Sequence, residues 1–204
     1  MRGFKTEGII LKRRNFGEAD RILTVFTSIK GKITVLGKGL RRITSRRAGN
    51  VELLNRSILY LHQGKGMPIL TEAQTLESYQ KIKMDLTLST YAYHILELVD
   101  KLTAQNQANR SLYTELVEVL KRLQDNPRQI FIRAFEAKIL SNLGFISFRD
   151  IGGSLKKLEV FSWDEIEKIS ITEKQAMELE RVLRYHLERV IEGRLKSRQF
   201  LKKL

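Results

Sequence analysis

Cations without acidic neighbours mark one stretch of this sequence as suited to phosphate binding. The five cations of residues 38–47 are Lys38, Arg41, Arg42, Arg46 and Arg47. The sequence has no Asp or Glu between Asp20 and Glu52. Such a cluster favours contact with a nucleic-acid backbone, because cations that neutralise phosphates release condensed counterions. The alternative is a solvated loop kept basic for solubility. The predicted DNA-binding residues are these five together with Arg13 and Arg14, which follow the first predicted strand.

Two glycines flank the first of these cations, in the order Gly37-Lys38-Gly39. The surrounding sequence lacks the GxxxxGK[ST] pattern and does not complete GxGxxG, which argues against nucleotide cleavage. Two interpretations remain for the glycines. One is a strand exit that requires positive φ, and the other is a close approach of the backbone to a phosphate.

The other residue types capable of chemistry are scarce or scattered. The chain has no cysteine, which excludes disulfides, thiol nucleophiles and thiolate zinc sites. Its three histidines, His62, His94 and His186, are far apart, so no metal site is predicted and each is expected at a helix surface or strand edge, although His186 falls on the apolar side of its helix. We find no Ser/His/Asp order, paired carboxylates or activated lysine, so the sequence predicts neither an enzyme nor a cofactor.

The overall charge favours acidic partners. The chain has 204 residues, with 37 Lys and Arg against 23 Asp and Glu, and a net charge of +14. An excess of this size favours nucleic acid first and an anionic membrane surface second. Charged residues interrupt any signal-peptide core near the N-terminus, and no apolar run approaches the length of a membrane span. The expected location is the cytoplasm.

Period-two patterns before residue 78 predict a small β-barrel that would position the basic stretch. Strand-like sequence occupies five regions, namely residues 8–11, 22–27, 33–36, 51–61 (as the two runs 51–54 and 56–61) and 68–75, and short turns separate most of them. Five short strands with charged loops match the OB-fold, although spacing alone does not distinguish it from an SH3-like barrel. Phe4, Phe16 and Phe26 could stack on bases, and Phe26 is predicted to lie in the core instead.

Helical spacing dominates after residue 78, and glycine is absent from 81 through 143. Three helices are predicted: one over residues 79–102, one around 112–123, and one from an Asn126 cap to a Gly144 C-terminal glycine. Residues 145–161 form a short excursion, interpreted as a hairpin. Capping boxes at Ser162 and Thr172 predict two further helices, and Trp163 is expected to anchor the start of the first. The predicted fold is α+β, with an OB-fold domain at 1–78 and an all-helical domain at 79–204.

Several short motifs resemble the RecO family of bacterial DNA repair proteins. They are Gly17-Glu18-Ala19-Asp20, Val25-Phe26-Thr27 with Gly31, Val35 with Lys38-Gly39 and Arg41, Arg133-Ala134-Phe135-Glu136, Leu143-Gly144-Phe145, and Leu195-Lys196-Ser197-Arg198. Each motif is weak alone, but their joint order and spacing span nearly the whole chain. The resemblance implies an OB-fold followed by a helical domain.

The resemblance also implies a function as a recombination mediator. Such proteins bind single- and double-stranded DNA, anneal complementary strands, and act with RecR to load RecA onto strands covered by single-strand-binding protein. The family commonly carries two cysteine pairs in a zinc-bound lobe, and here the cysteine-free residues 145–161 stand in its place. Nucleoid association in a bacterial cytoplasm is the implied location.

One partner site can be assigned to particular residues as a hypothesis. Arg133, Lys196 and Arg198 are predicted to bind the acidic C-terminal tail of single-strand-binding protein. The alternative for Arg133 is an internal pair with Glu136 or Glu97. Two other functions also remain open for the whole chain, an RNA-binding OB-fold protein of translation or RNA metabolism and a membrane-surface adaptor.

Overall fold

Five strands close into a barrel in the N-terminal part of the chain. The structure is a computed structural model that describes residues 2–64, 66–148, 153–191, 195 and 197. The strands are β1 (Arg2–Phe16), β2 (Asp20–Thr27), β3 (Gly31–Gly37), β4 (Arg56–Gln63) and β5 (Ile69–Glu77). Their order around the barrel is β1-β2-β3-β5-β4, and the pair β3–β5 is parallel while the others are antiparallel. The predicted five-stranded OB-fold is confirmed.

Alternating residues of these strands fill the barrel. Leu23 and Val25 of β2 and Val35 of β3 are fully buried, while Thr24 and Thr34 between them face outward and are partly exposed. Leu40, Val51 and Leu70 complete the same core. Because one face of each strand is buried in this way, the register of the sheet is fixed, and with it the faces that carry the outward side chains.

One predicted strand is wrong. Residues 51–54 read as a β-strand, but Gly49–Val51 is a single 3-10 turn, and Leu54 has a φ of 74°. Leu54 donates its N–H to the carbonyl of Ile10, and Ile10 donates to Asn55. Val51 and Leu54 are almost fully buried. The apolar residues of this run are therefore buried beside β1. Their hydrophobicity predicts burial, but it does not predict an extended backbone.

Seven helices follow among the described residues. They are α1 (Gln80–Met84), α2 (Leu86–Leu102), α3 (Arg110–Asp125), α4 (Gln129–Asn142), α5 (Gly153–Val160), α6 (Trp163–Glu167) and α7 (Glu173–Ile191). The chain divides into two compact units, residues 1–79 with 103–113 and residues 80–102 with 114–204. The division at residue 78 expected from the sequence stays a proposal, and the units differ from it by grouping residues 103–113 with the barrel.

The helix boundaries correct several predictions. The helix expected over 79–102 is two helices with Asp85 between them, where Asp85 accepts a bond from the N–H of Leu88. Asn126 does not cap α4: its N–H donates to the carbonyl of Arg122 over 2.9 Å at the end of α3, and its side-chain amide donates to Glu167 over 2.9 Å. Arg128 occupies the N-cap position in an extended conformation. The hairpin expected within 145–161 is wrong for its described part, since Gly153–Val160 is helical.

Other predicted helix ends agree with the structure. Gly144 has a φ of 75°, as a C-terminal capping glycine should. Ser162 and Glu165 form a reciprocal capping box, and Thr172 and Gln175 exchange the equivalent pair of bonds. Trp163 is 8% exposed, and its indole N–H donates to Glu115 over 2.7 Å. It therefore anchors the start of α6.

Candidate nucleic-acid interface

Three loop regions meet at one end of the barrel. Arg21 at the start of β2 pairs with Gly37 at the end of β3, and Leu36 pairs with Ile69 at the start of β5. The β1–β2 turn, the segment that leaves β3 and the chain entering β5 are therefore neighbours. We call residues 38–47 the basic exit segment.

Hydrogen bonds attach the basic exit segment to the β1–β2 turn. The N–H of Gly39 donates to Asp20 Oδ1 over 2.7 Å, and the N–H of Arg41 donates to the carbonyl of Ala19 over 2.8 Å. Leu40 inserts into the barrel core and is 2% exposed. A Cβ on Gly37 would lie 2.1 Å from a methyl carbon of Leu40, so glycine is required there. The segment is thus held by the barrel along its first half.

Four of the five predicted cations are exposed at this end. Lys38, Arg41, Arg42 and Arg46 are exposed, and Arg41 donates one bond to the carbonyl of Gly17 over 3.1 Å. Gly39 has a φ of 67°, which agrees with the interpretation of the flanking glycines as a strand exit. The uncompensated charge of the sequence is therefore presented on the surface, where a polyanion can reach it.

Arg47 has a different position from the other four. Its guanidinium donates to the carbonyls of Leu70 over 2.6 Å and Lys38 over 2.8 Å. It therefore ties the end of the basic exit segment to β5 and to the segment's own start. The donors of the Arg47 guanidinium are directed into the protein, so its first role is structural.

A concavity of about 480 Å³ opens between these residues. It is lined by Asp20, Lys38, Gly39, Arg42, Thr44, Ser45, Arg46 and Arg47. Its one carboxylate, Asp20, already accepts the bond from Gly39. The hydroxyl oxygen of Ser45 is buried and has no hydrogen-bond partner among the residues that the structure describes.

A second concavity of similar size lies on the outer face of β1, β2 and β3. Its lining includes Lys12, Arg14, Ile22, Thr24 and Thr34. Lys12 pairs with Thr24, and Thr24 pairs with Thr34, so these side chains form one row across three strands. Strands 2 and 3 form the ligand face of many OB-folds.

The two arginines predicted on β1 differ in their surroundings. Arg13 forms an ion pair with Glu52, whereas Arg14 is exposed. Lys12 was missed as a candidate, although it is exposed and lies on the same strand face as Arg14. The period of two along β1 was the signal that could have identified it, since residues 12 and 14 share a face and residue 13 does not.

The three phenylalanines considered for stacking differ in exposure, and the predicted core position of Phe26 is confirmed. Phe26 is fully buried, and its ring centroid lies 6.2 Å from that of Tyr113. Phe4 is covered by the ammonium group of Lys30, which lies 4.6 Å from its ring centroid. Phe16, at the end of β1, is 48% exposed. It is therefore the candidate of the three that is accessible for stacking on a base.

The opposite end of β2 and β3 is covered by residues 103–113. A Cβ on Gly31 would lie 1.8 Å from the carbonyl oxygen of Gln107, so only glycine permits this approach. Glu7 accepts bonds from the Tyr113 hydroxyl over 2.8 Å and from Arg56 over 2.6 Å. Burial raises the pKa of Tyr113, and the charge of Glu7 raises it further, so this tyrosine stays protonated as a donor.

Arg133, the predicted partner-binding residue of the helical unit, forms an internal pair. Its guanidinium donates to Glu136 over 2.7 Å and lies 3.6 Å from Glu180. Burial lowers the pKa of Arg133, but the charge and hydrogen bond of Glu136 outweigh this, so the pKa lies above its ordinary value. The alternative pairing with Glu136 that the sequence left open is thus present, while Glu97 bonds to Ser197 instead.

His94 lies at the centre of the same buried group. Its Nε2 is 2.7 Å from Glu136, and its Nδ1 is 3.1 Å from the hydroxyl of Ser197. His94 is fully buried, so its predicted surface position is wrong. Ser197 and Leu195 are buried as well, which makes two residues of the C-terminal motif structural anchors. Lys196 and Arg198, the other predicted partner-binding residues, lie outside the described residues.

Ser197, His94 and Glu136 resemble a nucleophile, base and acid only in composition. All three are buried, and the Ser197 hydroxyl donates to Glu97 over 2.6 Å. Reaction with a substrate requires an accessible nucleophile whose hydroxyl donates to the base. The group therefore fits a structural role.

His186 is half-buried and meets Phe148 edge to face, with ring centroids 5.9 Å apart.

No helix within the described ranges is long and apolar enough to cross a membrane. The same ranges contain no cluster of three or more His, Cys, Asp or Glu side chains that could hold a metal ion. The zinc lobe common in the RecO family uses two cysteine pairs, and this chain has no cysteine. The residues present therefore do not fit that metal.

The fold places this chain in the class of OB-fold proteins: a closed five-stranded barrel with an exposed basic end is followed by helices. The model for the N-terminal part of recombination protein O matches residues 1–79, and the model for its C-terminal part matches residues 84–146. The chain belongs to the RecO family.

Individual relatives agree with the family models. The DNA repair protein RecO of Acetivibrio thermocellus is 38% identical over 71% of this chain and 59% of its own length. The RecO protein of Pelotomaculum thermopropionicum is 32% identical over 71% of this chain and 57% of its own length. The chain thus spans less than two thirds of these relatives. The RecO protein of Desulforamulus reducens aligns over 100% of this chain and 96% of its own length, at 26% identity.

Proposed function

We propose that this protein is a DNA-binding recombination mediator. It binds single- and double-stranded DNA, anneals complementary strands and assists RecA loading in recombinational repair. The observation that carries the proposal is the exposure of Lys38, Arg41, Arg42 and Arg46 around a concavity with a single carboxylate. Relatives that share the barrel and the first helices bear the name DNA repair protein.

The contacts proposed are to phosphate. Cations that reach backbone oxygens hold a strand without reading its sequence, so binding should be similar for all sequences and should weaken steeply with salt. Annealing requires two polyanions to approach each other, and the basic end of the barrel would reduce their repulsion. Lys12 and Arg14 on the outer face of β1 offer further phosphate contacts in the second concavity.

The proposed protein partners are RecR, the C-terminal tail of single-strand-binding protein and, indirectly, RecA. No catalytic step is proposed, and the proposed location is the bacterial cytoplasm in association with the nucleoid. The proposed domains are 1–78 for nucleic-acid binding and 79–204 for partner contacts.

A strand-annealing assay tests this function. We expect the purified protein to accelerate annealing of complementary oligonucleotides both when they are bare and when they are covered by single-strand-binding protein. Acceleration of neither would refute the proposal. Preferential binding of RNA would favour the RNA-binding alternative, and binding to anionic vesicles without annealing would favour the membrane-surface adaptor.

Binding of the acidic tail of single-strand-binding protein should depend on the C-terminal cations Lys196 and Arg198. We expect Lys196→Ala with Arg198→Ala to weaken binding of a tail peptide by about a hundredfold, since each of the two lost charge-assisted contacts contributes about 1.5 kcal/mol. Calorimetric titration with the peptide measures this. Arg181→Ala, which removes an exposed charge from α7, is the control. Unchanged affinity in the double variant would show that the tail binds elsewhere.

The protein should contain no structural zinc. Elemental analysis of the untagged protein is expected to find zinc far below one equivalent, because the chain offers no thiolate ligand. Treatment with a chelator should leave the circular dichroism spectrum unchanged. Stoichiometric zinc, or unfolding on chelation, would contradict this prediction.

A further inference from the structure

Ile43 is an apolar side chain at the centre of the basic exit segment, and it is fully exposed, at 105% of its reference area. A single exposed isoleucine is not unusual on a protein surface. Its surroundings give this one a meaning, because it follows Arg41 and Arg42 directly and precedes Arg46 by three residues. An apolar side chain does not bind phosphate, so the proposed phosphate contacts do not explain an isoleucine at this position.

The backbone holds Ile43 at the apex of an ordered turn. The N–H of Ser45 donates to the carbonyl of Arg42 over 3.0 Å, which makes Ile43 and Thr44 the two central residues of a β-turn. A preceding turn is closed by the N–H of Arg42, which donates to Gly39 over 3.2 Å. Leu40 is buried in the barrel immediately before these turns. A side chain presented by a fixed turn loses little conformational freedom on binding.

The cations beside Ile43 indicate which kind of ligand would contact it. Neighbouring Cα atoms are about 3.8 Å apart. If the phosphates of a strand contact Arg42 and Arg46, the bases of that strand therefore come within reach of Ile43, which lies between the two arginines in the sequence. A membrane surface would be bound by several apolar side chains on one face. Here one branched apolar side chain stands among cations, which suits the bases of a nucleic acid. Apolar wedges that separate neighbouring bases are common in DNA-bending proteins.

We propose that Ile43 inserts between two adjacent bases of a single DNA strand whose phosphates are held by the basic exit segment. This inference rests on the proposed DNA-binding function and adds a contact with the bases to it. Unstacking is least costly in a strand that is already single.

An oligonucleotide that contains 2-aminopurine tests the insertion, because stacking quenches its fluorescence and unstacking restores it. We expect the full-length protein to raise the fluorescence of the bound single strand. Ile43→Ala should leave the fluorescence at the level of free DNA and weaken binding by about three- to tenfold, as for other lost base contacts. Ile43→Phe, which retains an apolar wedge, should restore the rise.

Two controls separate this proposal from the DNA-binding function itself. Ile29→Ala removes the same atoms from the β2–β3 turn, at the other end of these strands, where Ile29 is 56% exposed, and it should behave as the unmodified protein. The salt dependence of Ile43→Ala should also be unchanged, since its phosphate contacts remain. If Ile43→Ala keeps the fluorescence rise, or the unmodified protein binds without any rise, the insertion is wrong and DNA binding stands. If the unmodified protein shows no salt-dependent binding, both proposals fail.

Discussion

Arg41→Ala combined with Arg42→Ala should lower the salt dependence of single-strand binding by about 1.4 in the slope of log affinity against log salt, because each phosphate contact on a single strand contributes about 0.7. Four exposed cations would give about 2.8 for the unmodified basic exit segment on the same basis. Arg47 is left out of this sum because its donors bond to Leu70 and Lys38. The variant should bind all sequences more weakly and anneal strands more slowly. Fluorescence anisotropy at several salt concentrations measures the slope.

A matched pair of substitutions controls this experiment. Arg181→Ala with Arg184→Ala removes the same charge from α7, and it should keep the slope of the unmodified protein. In the competing hypothesis, the basic residues between 194 and 203 bind the DNA. It predicts that the barrel variant keeps its slope and that Lys196→Ala with Arg198→Ala lowers it, a change that leaves the buried Leu195 and Ser197 in place. Circular dichroism should show both variants folded, since Arg41 and Arg42 are exposed.

Arg133→Ala should destabilise the protein by about 3–5 kcal/mol, because removing one partner of a buried ion pair takes away the cation that faces the other's charge. Glu136 is that partner, with a side chain that is 0% exposed, and it also contacts His94. Denaturant unfolding measures the loss. The large effect follows from removing the cation beside the buried Glu136 carboxylate, and it does not mean that the pair contributes this much relative to apolar residues.

A double variant tests the physical reason. Arg133→Met with Glu136→Gln removes both charges, and it should recover much of the stability lost by Arg133→Ala. Arg181→Ala, on the exposed face of α7, should change the free energy of unfolding by less than about 0.5 kcal/mol. A small effect of Arg133→Ala would contradict the internal pairing and favour Arg133 as a free ligand for a partner's acidic tail.

The barrel could be predicted from the sequence because its strands alternate strongly and its turns carry glycine and acidic residues. The basic exit segment was equally visible, since its charge lacks any neighbouring acid. Helix ends with reciprocal side-chain bonds, such as Ser162 with Glu165, were also local enough to predict. In each case the signal lies within a short stretch of the sequence.

The errors arise where the partner is distant in sequence. Arg47 resembles Arg46 in the sequence, and only β5, which begins 22 residues later, shows that its guanidinium bonds inward. His94 and Glu136 are 42 residues apart and meet only in the folded helical unit. Leu54 was assigned to a strand because hydrophobicity reports burial, whereas its φ of 74° is set by the bonds around Ile10.

The most direct test of the central claim uses the absence of cysteine, which allows a crosslinker to be attached at one chosen position. Thr44→Cys places it in the concavity of the basic exit segment, and Ile29→Cys places it at the other end of β2 and β3. We predict that a photoreactive group at position 44 crosslinks to single-stranded DNA efficiently and that the same group at position 29 does not. Equal crosslinking from both positions, or crosslinking from position 29 alone, would contradict the assignment of the DNA-binding surface.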